Sequence, residues 1–192
     1  MSYALIIPIY NEEDTLPQLL DDLKLVHQDA QIIIVDDGST DETNTILNDA
    51  SGINVLAQET NHGKGAAIRA GLERVEKDLV IIMDGDLEVS VDDIPTLLQH
   101  FKNNNNPMAV IGVRWQGNQK RSLSINALGN KFLNSCFNFL FSTSFTDILC
   151  CFKAMPKDLI KSFELQSQGF GIETEIMANI ALRNIPFQEI NI

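Results

Sequence analysis

The stretch "VIIMDGDLEVSVDD" (80–93) carries four apolar residues, Val80 to Met83, straight into carboxylates at alternate positions, Asp84, Asp86 and Glu88. A short, β-branched, uniformly apolar run suits a strand covered on both faces of a parallel sheet. Further runs of that character are "YALIIPI" (3–9), "QIIIVDD" (31–37), "INVLAQ" (53–58) and "MAVIGV" (108–113), and the first run itself extends to "DLVIIMD" (78–84). Between them, apolar residues recur at three-to-four spacing: Leu16, Leu19, Leu20 and Leu23 in one segment, Ile68, Leu72 and Val75 in another. Thr40 and Ser90 stand where helix N-caps belong, with Glu42 in the first turn after one and Asp92 and Asp93 after the other. This alternation predicts an α/β fold, a doubly wound and mostly parallel sheet flanked by helices with right-handed crossovers.

After residue 115 the rhythm changes. "RSLSINALGNKFLNSCFNFLFSTSF" (121–145) is a long, aromatic, acid-free helical pattern, and 149–155 is strand-like. "GFGIETEIMANIALRN" (169–184) is helical again, and "PFQEINI" (186–192) reads as a strand. There is no internal repeat and no linker, so 1–192 reads as a single domain.

Composition narrows the function. The 192 residues are 44% hydrophobic, enough for a full core, and their net charge of −12 is unevenly spread. Residues 1–100 hold 20 acidic and 5 basic side chains, residues 101–192 hold 6 and 9, and no acid occurs from Lys102 to Thr146. That pattern argues against nucleic-acid binding, which needs a broad basic face, and fits a cleft with a cation on one side and an anion on the other. Cys136, Cys150 and Cys151 are odd in number and two are adjacent, so they read as reduced core thiols. His27, His62 and His100 are scattered and offer no zinc constellation. The start "MSYALIIPIYNEE" lacks a basic leader region, and no run approaches the ~18 apolar residues of a membrane span. A cytoplasmic location follows, at the inner face of the membrane if a lipid is handled. The segment "FLNSCFNFLF" reads as core, as a homo-oligomer interface or as a peripheral membrane contact.

In open α/β sheets, ligands bind beyond the carboxyl ends of the strands. Three strands here end in polar clusters: "PIYNEE" (8–13), "VDDGSTD" (35–41) and "MDGDLE" (83–88). Asp-x-Asp alone carries little, since 15 aspartates supply such a pair by chance, and a turn after a strand is its plain alternative. At alternate strand-end positions, however, Asp84 and Asp86 share a side, where a cation would relieve their repulsion. Hard oxygen ligands suit Mg²⁺ or Mn²⁺. "DDGSTD" reads either as an Asx-turn with a helix cap or as an acceptor of base and ribose hydrogen bonds through Asp37. "NHGKGAAIRAG" (61–71) puts Gly63, Lys64 and Gly65 at a helix start, where backbone amides face an anion.

Taken together, "IIPIYNEE", "IIIVDDGSTD", "NHGKGAAIRAG", "MDGDLE" and "TDILCCFKAM", in this order, resemble the family 2 glycosyltransferases of GT-A fold, and most of all the polyprenyl-phosphate mannose and glucose synthases. The resemblance covers nearly the whole chain. It implies an inverting transfer from a UDP- or GDP-sugar with a divalent metal, Mg²⁺ or Mn²⁺, to a polyprenyl phosphate. By the same resemblance, Pro8, Tyr10, Glu12 and Asp37 border the nucleoside and Asp84, Asp86 and Glu88 meet the donor diphosphate; Lys64, at its helix start, joins Asp84 in the nucleotide-sugar-binding set. Asp84, Asp86 and Glu88 hold the metal, although the synthases often carry Gln where Glu88 stands. Arg114 and Arg121 meet phosphate groups, and Asp147 lies near the acceptor. Residues 1–115 then form a nucleotide-sugar half and 116–192 an acceptor half. Many of the resembling enzymes continue past their last strand, so a chain ending at Ile192 reads either as a fragment with an incomplete acceptor half or as a peripheral enzyme. A glycan hydroxyl as acceptor, which would need Asp147 as base, and a non-catalytic nucleotide-sugar-binding domain are the alternatives. A sugar-nucleotide pyrophosphorylase would need a Gly-rich, Arg-containing loop where "PIYNEEDT" stands.

Overall fold

The structure, a computed structural model, describes residues 1–26, 30–102, 109–114 and 125–192. The apolar runs form strands β1 (Tyr3–Ile9), β2 (Ala30–Asp36), β3 (Asn54–Ala57), β4 (Leu79–Ile82), β5 (Ala109–Val113), β6 (Lys153–Pro156) and β7 (Phe187–Asn191). The helices are α1 (Leu16–Leu23), α2 (Thr43–Asn48), α3 (Lys64–Leu72), α4 (Ile94–Lys102), α5 (Ile125–Phe141), α6 (Lys157–Ser162) and α7 (Gly171–Leu182). One seven-stranded sheet runs β3-β2-β1-β4-β6-β5-β7. All pairings are parallel except those of β6, which is antiparallel to both β4 and β5.

Side-chain alternation divides the core between the two faces of the sheet. Tyr3, Leu5, Ile7 and Ile9 of β1 pack with Leu16 and Leu19 of α1 and Ile94 and Leu97 of α4. Ala4 and Ile6 pack on the other face with Ile68 and Leu72 of α3 and Ile172, Ile176 and Ile180 of α7. Helices on both faces make the sheet doubly wound, as the sequence predicts.

Strand direction brings the polar clusters together. The carboxyl ends of β1, β2, β4 and β5 share one edge because these strands run the same way. The reversed β6 begins at that edge, so the segment leading into it, Asp147 to Phe152, arrives there too. The strand order also reverses direction at β1, which places a crevice between the ends of β1 and β4. Pro8 opens it. Met83 N donates to Ile6 O (3.1 Å), so the amides of residues 6 and 8 face β4. Proline has no amide hydrogen, and β1–β4 pairing ends at Ile6↔Ile82, whereas β1–β2 pairing continues to Ile9↔Asp36.

Two local expectations need correcting. Thr40 does not cap a helix: its amide donates to Asn11 Oδ1 (2.8 Å), and α2 starts later, where Thr43 N donates to Asp41 Oδ1 (3.0 Å). The loop after β1 outcompetes the helix for that residue. Residues 149–152 also lie outside β6, because pairing begins only at Lys153. Ser90 does cap, accepting from Asp92 N (3.1 Å) at the short 3₁₀ turn before α4.

Candidate active site

The β4 end departs from strand alternation. Pairing stops at Ile82, and Leu87 takes a left-handed backbone (φ 64°), a conformation that costs a non-glycine residue about 1–2 kcal/mol. The three acids therefore do not converge. Asp84 turns to Lys64, whose Nζ lies 2.7 Å from Oδ1, and Glu88 meets Arg114 Nη1 at 3.0 Å. Asp86 is exposed and accepts from Glu88 N (3.0 Å). Among the described residues, no three His, Cys, Asp or Glu side chains gather at the spacing of a metal centre. Strand pairing ends before Asp84, so alternation does not govern these positions, and the two aspartates differ in their contacts: Asp84 pairs with Lys64, whereas Asp86 faces solvent.

Behind Asp84 lies a chain of charges that the sequence did not announce. Lys64 Nζ is 2.7 Å from Glu173 Oε1, and the other oxygen of Glu173 pairs with Lys153, which also donates to Cys150 O. Lys153 is 0% exposed and Glu173 3%. The Lys64–Glu173 contact is an ion pair without the angular geometry of a hydrogen bond. Burial pushes the Glu173 carboxyl up, but the charges of Lys153 and then Lys64 outweigh it and leave the pKa lowered. Burial likewise opposes the charge of Lys64, and Glu173 followed by Asp84 more than offsets it, so the ammonium is held charged. Each pair depends on its partner. Glu173→Leu is expected to cost about 3–5 kcal/mol by stranding Lys153, whereas Glu173→Leu with Lys153→Met is expected to be near neutral in urea unfolding. Because Glu173 has a lowered folded pKa, its contribution is present above its unfolded pKa of about 4.3 and lost as pH falls through the folded value. The double variant should therefore lose less stability on acidification.

The glycines around Lys64 serve close packing. A Cβ on Gly65 would sit 2.1 Å from Ser167 O, and one on Gly63 (φ +92°) 2.7 Å from Gln168 O. The Ala66 amide, at the start of α3, donates to that same Gln168 O (3.0 Å), so the glycine-rich stretch docks the segment before α7 as well as opening a helix. Gly65→Ala is expected to destabilise by about 1–3 kcal/mol in the same assay.

On the other side of the edge, Asp147 is buried, and both its oxygens face Arg114: Nε to Oδ2 at 3.0 Å and Nη2 to Oδ1 at 3.3 Å. Two asparagines of α5 fix this segment. Asn134 Nδ2 and Asn138 Nδ2 donate to Phe145 O (2.7 and 2.8 Å), and Asn134 Oδ1 accepts from Ile148 N (3.0 Å).

The loops after β1 and β2 bind each other. Asn11 N donates to Ser39 Oγ (2.9 Å) and Glu12 N to Thr43 Oγ1 (2.8 Å). Asp36 makes the turn to Ser39, the turn part of the plainer reading of "DDGSTD", without the helix cap. Asp37 is buried and clasps the loop before α3, accepting from His62 N (2.9 Å) and Gly63 N (2.7 Å). The Glu12 carboxylate accepts from the Thr15 hydroxyl at the start of α1. Pro8 is buried, whereas Tyr10 is 43% exposed at the mouth of the crevice. Arg121 lies outside the described residues. Cys150 and Cys151 are buried thiols, as expected; Cys136 is half-buried on α5. A cavity of about 640 Å³ between α1 and α2, lined by Leu20, Ile32, Ile46 and Ile53, is remote from this edge.

A switch-point crevice with acids at the β4 end and an arginine–aspartate pair opposite, on this mixed sheet, defines a GT-A type nucleotide-sugar transferase fold. Residues 4–163 match the Glycosyl transferase family 2, and the chain belongs to that family. It is 31% identical over 184 residues to glycosyltransferase AglJ of Haloferax volcanii, covering 95% of this chain and 59% of the relative. It is 30% identical over 189 residues to the undecaprenyl-phosphate 4-deoxy-4-formamido-L-arabinose transferase of Proteus mirabilis, covering 94% of this chain and 56% of that one. The chain thus spans little more than half the length of these curated relatives. In fold it is similar to glucosyl-3-phosphoglycerate synthase of Mycobacterium tuberculosis, solved with Mn²⁺, UDP and phosphoglyceric acid. The TM-score there is 0.80 at 21% identity, over 99% of this chain and 68% of that one.

Proposed function

We propose that this chain carries the transfer site of an inverting, metal-dependent glycosyltransferase that moves a sugar from a nucleotide-diphosphate sugar to a polyprenyl phosphate. The observation that carries the acceptor class is the commitment of both Asp147 oxygens to Arg114. An aspartate held this way is poorly placed to take a proton from a sugar hydroxyl. The guanidinium it orients is suited to a phosphate, which arrives already anionic and needs no base. The contact to Glu88, which is 61% exposed, is weak enough for a phosphate to displace. The phosphate oxygen attacks the anomeric carbon and forms the new C–O bond. The bond to the nucleoside diphosphate breaks on the opposite face, and its electron pair leaves with that group.

On the donor side, Tyr10 at the crevice mouth, with Pro8, Glu12 and Asp37, borders the nucleoside, and Lys64 beside Asp84 meets the diphosphate. The acids suit Mg²⁺ or Mn²⁺ in a limited way: Asp86 is an exposed hard-oxygen ligand, while Asp84 and Glu88 already hold cationic side chains. Such a set fits an ion that draws most of its ligands from diphosphate and water, as Mg²⁺ commonly does. When bound, the ion supplies Lewis-acid relief of charge on the leaving phosphates. Arg121 would add a second phosphate contact. In this reading residues 1–115 serve the donor and 116–192 the acceptor.

The outward face of α5 supports a lipid-borne acceptor. Leu128, Phe132, Leu133, Phe139 and Leu140 are all at least half exposed, on an acid-free helix whose asparagines anchor the Asp147 segment. This amphipathic face suits contact in the plane of the membrane interface, at the cytoplasmic leaflet; no helix among the described residues is long and apolar enough to cross a membrane.

The test is a thermal-shift panel of UDP- and GDP-sugars with and without Mn²⁺, followed by transfer assays. A ligand at a hundredfold its Kd adds about 2.7 kcal/mol of stability. Metal-dependent stabilisation by one nucleotide sugar, with transfer to polyprenyl phosphate and not to a glycan hydroxyl, is the expected result. Stabilisation without transfer to either acceptor would leave a binding domain, and no stabilisation by any nucleotide sugar rejects the reading.

A further inference from the structure

Four charged groups form an unbroken row from the crevice inward: Asp84, Lys64, Glu173 and Lys153. The row is asymmetric. Asp84 is the outer member, its side chain 26% exposed, whereas Lys64 is 10%, Glu173 4% and Lys153 0% exposed. Lys64 therefore has two acid partners of different character. Asp84 sits at the rim beside the exposed Asp86, and anything anionic entering the crevice competes with it. Glu173 cannot follow an incoming ligand. Its helix is docked on α3 through the contact of Gln168 O with the Ala66 amide, and its second oxygen is held by Lys153. Lys64 Nζ also lies over the ring of Phe170, 5.7 Å from its centroid.

We propose that Glu173 is a positioning residue for the donor diphosphate: it tethers the Lys64 ammonium from behind, so that Lys64 can exchange Asp84 for a phosphate without leaving the crevice. Lys153 belongs to the same device, because it neutralises the buried carboxylate and fixes its direction. The inference deepens the proposed function and rests on it, since it assigns Lys64 to the diphosphate of a nucleotide sugar. Lys153 already balances Glu173, so the contact of Lys64 with Glu173 is additional to that buried pair and leaves Lys64 shared between a fixed inner acid and one at the rim.

The distinguishing measurement is calorimetric binding of nucleoside, nucleoside monophosphate and nucleoside diphosphate, in the uridine and guanosine series, to the wild type and to Lys153→Met/Glu173→Leu. Removing both buried partners together leaves neither of them stranded as an unpaired charge, and Lys64 keeps Asp84. The tether predicts that diphosphate affinity falls about tenfold to a hundredfold, the worth of a charge-assisted contact, while nucleoside and monophosphate affinities stay within about twofold. In a Lys64→Met background the same double change should have no further effect, since there is then nothing to tether. Equal loss for all three ligands, undiminished diphosphate affinity, or a full further loss in the Lys64→Met background each overturns the proposal. Lysine side-chain NMR on the wild type needs no variant: the Lys64 ammonium signal should shift with diphosphate and not with monophosphate, while that of Lys153 stays still. An unmoved Lys64 signal in a protein that binds diphosphate rejects the tether alone. A wild type that binds no nucleoside diphosphate rejects the proposed function, and the tether with it.

Discussion

Asp86→Ala is expected to lower sugar transfer by about a thousandfold or more, the scale of several kcal/mol of charge stabilisation, and to remove metal-dependent donor binding. The fold should not register the change. Asp86 is exposed, and its one described hydrogen bond is to the neighbouring Glu88 amide. Surface changes of this kind stay within roughly 0.5 kcal/mol, or about 1–2 °C in Tm for a chain of this size. A radiolabelled-donor assay beside a melting curve reads both quantities. Full transfer by Asp86→Ala, or by the wild type in excess EDTA, would remove the metal from the reaction.

The second large effect falls on Arg114. Arg114→Ala should cost at least about a hundredfold in transfer, and it should also be felt in stability, because Asp147 at 4% exposure would lose its guanidinium. Stranding a buried charge costs about 3–5 kcal/mol. Arg114→Lys should not restore transfer, since an ammonium cannot reproduce two parallel contacts to Asp147 while also facing a phosphate. Asp147→Asn separates the acceptor chemistries. If Asp147 only orients Arg114, the amide keeps much of the shape, and transfer should fall by about tenfold. If Asp147 were a base for a hydroxyl acceptor, loss would be near complete. The KM for polyprenyl phosphate should rise in the Arg114 variants while nucleotide affinity stays within about twofold. A matching loss of nucleotide affinity would place Arg114 on the donor instead.

What could be read from the sequence, and what could not, divides along physical lines. The central strands were legible because burial on both faces leaves runs such as "YALIIPI" with no polar interruption, whereas β3 and β7, at the sheet edges, are only partly covered; strand direction then carries the polar ends to one edge. The acids after β4 were legible as a cluster but not as a geometry. Alternation is a property of paired strand, and pairing stops at Ile82, before the first acid. The Lys153–Glu173 pair was hidden because its members are 20 residues apart, on a strand and a helix that only the tertiary fold brings together. A faint signal existed: a lone lysine inside "ILCCFKAM" and a glutamate in the apolar opening of "GFGIETEI". Single charges in apolar settings need partners. The role of Gly65 was legible only in part. Its place at a helix start was readable, but the backbone of Ser167 pressing against it belongs to another element.

The reversed β6 runs against its neighbours on both sides. In the proposed function the donor groups hang from the ends of strands, while the acceptor groups around Asp147 lead into the start of one. The β4–β6 register, Ile82 opposite Lys153, is therefore the ruler that fixes how far apart the two partners of the reaction are held. Sliding that register by two residues would preserve every facing of the sheet and still move the acceptor groups by about 7 Å along it. On that function, one ladder of backbone hydrogen bonds sets the distance between the place of the donor and the place of the acceptor.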